Sequence, residues 1–309
     1  MKIFKTIPGM LVSCFFLLLV LLVYGLLPKL RNLIGMVFMA YVFSLFIFFM
    51  IRAVLTFTKA TMTPEDCKKI SPVLYFAALS KFFWLQIMSF DLFWVLRGSR
   101  KCRVVNHHGE NVKFAWYCLY AWGVPLLIMA LTVVADNIDI RQYGLLPPKF
   151  SQCFGDRLGA LYYLHIPIGI IIGVNTVLFI MTYYSIWLIK RGVNASSESR
   201  TTNKYIDNYA MHLRLALMMG ISWILEVVEI FTSSSNIVWT ILSSYHIFIG
   251  VPIFFLFVFN KQCFVGLCIK FNINNRFVRN MKPSEYSKSE SELRNLRRST
   301  FKGSKNDRH

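Results

Sequence analysis

A chain of 309 residues that is 56% hydrophobic and only 16% charged is too apolar for an ordinary soluble globule, which carries about 25% charged residues. Its mean hydropathy of +0.51 and its 28 phenylalanines exclude collagen, general disorder and small disulfide scaffolds. The formal charge of +19 must then lie outside the apolar runs, and where it lies sets the topology.

A hydrocarbon core of roughly 30 Å takes about 20 apolar helical residues to cross. Seven stretches of that order follow one another: Ile7–Leu27, Leu33–Leu55, Pro72–Leu96, Phe114–Val134, Leu158–Leu188, Leu213–Phe231 and Ile237–Phe259. Their length argues for helices, because a membrane barrel would show alternating segments of about 10 residues. Lys and Arg are distributed unequally over the alternate connections, 24 on one side and 8 on the other, with the basic tail on the richer side. Basic residues resist translocation. The fold expected is therefore an all-α membrane protein, a seven-transmembrane helix bundle with its N-terminus outside and its C-terminus cytoplasmic. Residues 1–6 form a short extracellular N-terminus, 7–260 the bundle, 261–280 an amphipathic juxtamembrane helix and 281–309 a disordered basic cytoplasmic tail. Lys2 and Lys5 before an apolar run also describe a signal peptide. The run of about 20 residues is long for one and no small-x-small cleavage site follows, so the first segment is expected to be retained.

Cys67 and Cys153 both fall on the outer, oxidising side, and we pair them; two free thiols are the alternative. Such a bond would tether the outer end of the third segment to the second outer loop. Cys14 and Cys118, inside apolar segments, read as packing residues. Cys102 lies in a cytoplasmic loop, where a free thiol is the default. Cys263 and Cys268, just past the last segment, are lipidation candidates. The Asn194-Ala195-Ser196 glycosylation triplet lies on the cytoplasmic side and is expected to stay unmodified.

Ionisable groups at membrane depth are costly and point to function. Arg52 is close enough to the outer boundary to snorkel. Lys81 is nine residues past Pro72, roughly 13 Å down by helical rise. With Glu226 or Glu229, and with His246, it is a candidate for lining a ligand pocket; a water-filled mouth is the plainer reading. Asp91, near the cytoplasmic end of the third segment, and Arg214, opening the sixth, are candidates for a conformational latch, with local pairing of Asp91 as the alternative. Pro125, Pro167 and Pro252 each remove a backbone hydrogen bond inside a segment. No catalytic constellation, metal site or cofactor motif is present in the sequence, so an enzyme is not expected. His107 and His108 read as solvated residues of a basic loop.

Tyr120 to Leu127, reading YAWGVPLL, carries the Trp122-Gly123-Val124-Pro125 pattern and resembles the Trp-Gly-x-Pro signature of secretin-like (class B) seven-helix receptors. The run Leu79 to Arg97, LSKFFWLQIMSFDLFWVLR, is similar to the third helix of the insect Methuselah-like branch, as is TVVADN at Thr132 to Asn137. Pro167, Asn175 and Phe179 match the fifth helix of that family, and Arg214 to Glu226 resembles its sixth. The likeness runs from about Met10 to Lys261. It implies a G-protein-coupled receptor at the plasma membrane, taking an extracellular ligand, peptide or small molecule, and passing the signal to a heterotrimeric G protein. It also implies that Cys67 and Cys153 are disulfide partners, and it makes Trp122, Pro125, Asn175 and Gly250 candidate switch residues. Three departures are visible. About six residues precede the first segment where the family carries a cysteine-containing ectodomain, Ile249 stands where Gln is usual before Gly250, and Lys81 replaces a small residue.

Beyond the last segment, Phe264, Leu267, Cys268 and Phe271 recur at helical spacing among basic residues, as expected for a helix on an anionic leaflet. In the tail, Ser299 and Thr300 follow Arg297 and Arg298 and are phosphorylation candidates. Anionic lipids are expected partners and nucleic acid is not. Two alternatives are carried: a truncated, non-signalling receptor that dimerises with a full-length relative, and a transporter or channel, which would call for repeats or rings of charge that the sequence lacks.

Overall fold

The computed structural model describes residues 2–58, 61–98, 107–138, 146–152, 159, 161–193, 247–258, 263 and 267. Among them the regular elements are all helical: α1 (Lys2–Leu26), α2 (Leu33–Thr58), α3 (Pro64–Gly98), α4 (His107–Asn137), α5 (Ile166–Val193) and α6 (Gly250–Phe257), the last being part of the seventh apolar segment. Among the described residues five helices are long and apolar enough to cross a membrane, over Ile7–Leu26, Leu33–Thr58, Pro64–Asp91, Gly109–Asn137 and Leu161–Ser185. The chain is thus a multi-pass helical membrane protein. The sixth segment lies outside the described residues.

The helices outrun their apolar stretches, and the ends explain how. The α1 backbone is already helical at Lys2, ahead of the apolar run that begins at Ile7. α3 begins eight residues before Pro72. Thr63 Oγ1 accepts the Asp66 N–H at 3.2 Å, while the Asp66 carboxylate accepts the Thr63 N–H at 3.1 Å and its hydroxyl at 2.7 Å. This reciprocal cap, with Pro64 opening the helix, satisfies donors that would otherwise be orphaned. Cys67 consequently lies within α3 and not before it. His107 and His108, expected in a loop, belong to the first turn of α4.

Between α1 and α2 the chain turns tightly through a 3-10 turn at Pro28–Leu30. The Arg31 guanidinium donates to the Gly25 carbonyl at the end of α1, and the Asn32 side chain accepts the Gly35 N–H at 2.9 Å at the start of α2. A side chain at Gly35 would run into the Leu30 carbonyl, so the turn needs glycine there.

Aromatic packing joins the ends of the sequence. Tyr24 meets Phe38 at 5.1 Å between ring centroids, Phe38 meets Phe257 at 4.5 Å, and Phe16 meets Phe254 at 5.2 Å, tying α1, α2 and α6 together. α3 packs against α2, α4 and α5 and contributes, among the described residues, the most deeply buried ring, Trp84, at 0% exposure. Lipid gives apolar side chains no reason to leave it, so this close fit is carried by dispersion and by the few polar groups between helices.

Candidate functional site

Near its Pro64 end, one face of α3 holds the loop that follows α4. Cys67, Ser71 and Tyr75 are spaced four residues apart and so share that face. Cys67 is disulfide-bonded; its expected partner, Cys153, lies outside the described residues. The Ser71 hydroxyl donates to the Phe150 carbonyl at 3.4 Å, and the Tyr75 ring meets the Phe150 ring at 6.3 Å. From the other side, the Phe150 N–H donates to the Asp136 carboxylate at the end of α4, at 3.2 Å. Lys149 takes the left-handed conformation, φ 53°, that turns Phe150 inward, where it is fully buried.

Deeper between α2 and α3, Lys81 is only 5% exposed. Its ammonium sits over the Phe48 ring at 4.2 Å and the Phe82 ring at 4.7 Å, while the exposed Arg52 approaches Phe48 at 5.8 Å. Ring faces carry negative potential and offset part of the cost of burying a cation. Glu226, Glu229 and His246, expected beside Lys81, lie outside the described residues.

The centre is a stack of indoles. Trp84 meets Trp122 edge to face at 5.2 Å and stacks on Phe114 at 6.1 Å. The Trp122 indole donates to Ser44 Oγ at 3.4 Å, and Ser44 in turn donates to the Ala40 carbonyl at 3.0 Å, so Trp122 joins α2, α3 and α4. Beside it, a side chain at Gly123 would meet Leu119 at an ordinary 3.7 Å, so this glycine is not required by a close approach. Pro125 is buried and α4 runs through it without a break. Asn175, on α5, is buried with neither amide atom hydrogen-bonded.

The α1–α6 crossing is closer still. The Ser13 hydroxyl donates to the Ile247 carbonyl at 2.5 Å and accepts the Gly250 N–H at 3.3 Å. It fits there because the Val251 N–H turns to Phe248, three residues back, leaving the Ile247 carbonyl to be satisfied from outside the helix. A methyl group at Gly250 would lie 2.5 Å from the Ser13 carbonyl oxygen and 2.8 Å from its Cα. Gly250, singled out in the sequence, thus has its reason in Ser13, which was not. The signal was present: Gly9 and Ser13 are small residues four apart in a segment otherwise rich in large ones.

Toward the other end, Asp91 is 3% exposed and accepts two hydrogen bonds from α4, from Lys113 at 2.6 Å and from the Tyr117 hydroxyl at 2.8 Å. The sequence reading sets Asp91 against Arg214, which lies outside the described residues. Lys113 reads as a loop residue in the sequence and joins Asp91 because α4 begins at His107. Of the lipidation candidates, Cys263 is buried, while Cys268, like Ser299 and Thr300 in the tail, lies outside the described residues.

Residues 1–252 match the family model for the seven transmembrane receptor (Secretin family). The chain belongs to that family. Among its relatives are the G-protein coupled receptor Mth2 of Drosophila yakuba, 29% identical over 90% of this chain and 53% of the relative, and the probable G-protein coupled receptor Mth-like 10 of Drosophila melanogaster, 29% identical over 90% and 51%. The G-protein coupled receptor Mth of Drosophila melanogaster is 29% identical over 82% of this chain and 50% of its own length. The chain spans about half the length of the curated relatives it matches. The Methuselah-like resemblance read from the third and fourth segments is therefore established across nearly all of the chain.

Proposed function

We propose that this receptor-family chain crosses the plasma membrane seven times, takes an extracellular ligand and activates a heterotrimeric G protein from its cytoplasmic face. The observation that carries this reading is the family match over residues 1–252. The disulfide at Cys67 supports an outer location for that end of α3, because disulfides persist in oxidising compartments. The basic balance of the connections supports the same orientation. On this reading the ligand enters near Phe150 and reaches toward Lys81, with Glu226, Glu229 and His246 as proposed partners from the last two segments. Asp91, fixed to α4 by Lys113 and Tyr117, marks the cytoplasmic end of α3, where Arg214 would meet it as the sixth helix moves.

The test is guanine-nucleotide exchange on purified heterotrimers of each Gα class by the full chain in nanodiscs, alone and with a library of secreted peptides and small molecules. Exchange above empty nanodiscs, weakened by Lys81→Met at fixed ligand concentration, upholds the reading. A folded chain that promotes no exchange under any of these conditions overturns it, and a chain that only co-purifies with a longer relative would point to a non-signalling partner.

A further inference from the structure

The outer end of the fifth helix carries a break that another helix repairs. A π turn at Leu161–His165 precedes α5, and Pro167 stands at its second residue. Proline has no N–H, so the Tyr163 carbonyl, four residues earlier, loses its α-helical donor. In a part-buried setting an acceptor left without a donor is costly. The replacement donor comes from α3: the Tyr75 hydroxyl reaches the Tyr163 carbonyl at 2.6 Å. Tyr75 is almost fully buried. Tyr163 adds a second tie with its own hydroxyl, which donates to the Leu146 carbonyl at 2.7 Å.

We infer that the Tyr75 hydroxyl is the latch of a hinge in the fifth helix. A proline beside a π turn interrupts the helical ladder, which is where a helix bends at least cost. One side-chain hydrogen bond closes that interruption, so its presence or loss decides whether the outer turn is held against α3 or free to tilt. The latch is also connected to the outer loop, since the Tyr75 ring packs on Phe150, whose carbonyl is held by Ser71 one turn away. A push on the loop therefore reaches the hinge through one tyrosine. This inference rests on the geometry of α3, the π turn and α5, and stands whether or not the chain activates a G protein.

A double-mutant cycle on the full chain in nanodiscs tests it: Tyr75→Phe, Pro167→Ala and the pair, read by thermal unfolding and by hydrogen exchange of peptides covering residues 161–168. Tyr75→Phe is expected to lower the melting temperature by about 2–4 °C and to speed exchange in the π turn about fivefold, the size of one net hydrogen bond. With Pro167→Ala the chain regains an N–H for the Tyr163 carbonyl, and Tyr75→Phe should then change exchange there by less than half as much. Equal effects of Tyr75→Phe with and without Pro167 would overturn the latch. Should Tyr75→Phe not fold, Pro167→Ala alone decides: slower exchange across the π turn upholds the inference, and unchanged or faster exchange refutes it.

Discussion

α3 and α4 are neighbours of similar length, yet they meet different surroundings. In its membrane window α3 is 67% buried within the protein and α4 only 17%. α3 turns its faces to α2, α4 and α5, whereas α4 presents Trp116, Leu119, Leu127 and Leu131 outward. Hydropathy makes both of them membrane spans, with α3 the less apolar, and says nothing direct of burial because lipid and protein interior are similarly apolar. What separates them is the placement of polar groups. α3 holds Ser71, Tyr75, Lys81 and Asp91 against partners or rings, while α4 uses polar groups mainly on the narrow face it turns to α3. α3 is thus the post on which the bundle is assembled, and α4 is a lipid-facing stave fastened to it.

Substitutions can break this contrast, and thermal unfolding of the purified chain in nanodiscs measures all of them. Trp84→Ala empties the centre where α3 meets Trp122 and Phe114, and should cost about 3–5 kcal/mol, the usual range for a large buried aromatic. Asp91→Ala removes the acceptor shared by Lys113 and Tyr117. Truncating one member of a fully buried pair costs about 3–5 kcal/mol. Lys113 is one-third exposed and can turn to water, so about 1–3 kcal/mol is expected here. Tyr120→Phe loses the hydroxyl that donates to Gln86 at 2.9 Å, an outward-facing bond between the two helices that should contribute about 0.6 kcal/mol. Trp116→Ala, on a side chain 67% exposed, should stay within about 0.5 kcal/mol. A loss from Trp116→Ala comparable to that from Trp84→Ala would mean that α4 is covered by protein and that the contrast is false.

Much of the architecture was legible because the bilayer imposes a length on every crossing, and all five complete spans begin or end near the apolar boundaries. Helix ends were less so. Thr63-Pro64-Glu65-Asp66 is a readable cap, but a search for apolar length passes over it and starts the helix at Pro72. The same bias left Lys113 in a loop, so the local pairing held open for Asp91 was not given its partner. Asp91, Trp122 and Gly250 were each found by residue type alone. Their partners Tyr117, Ser44 and Ser13 were not, since ordinary tyrosines and serines carry no mark of the helix they will face. The Tyr75 bond to the Tyr163 carbonyl spans 88 positions and depends on two helices arriving at one level. Only Pro167 announced that an acceptor there would need a donor.

The central claim is that the chain threads the bilayer with its two ends on opposite sides, Cys67 outside and the basic tail within. Epitope tags fused to both ends, stained on intact and on permeabilised cells, measure this directly. The account predicts that the N-terminal tag is stained on intact cells and the C-terminal tag only after permeabilisation. Both tags staining in the same compartment would contradict it.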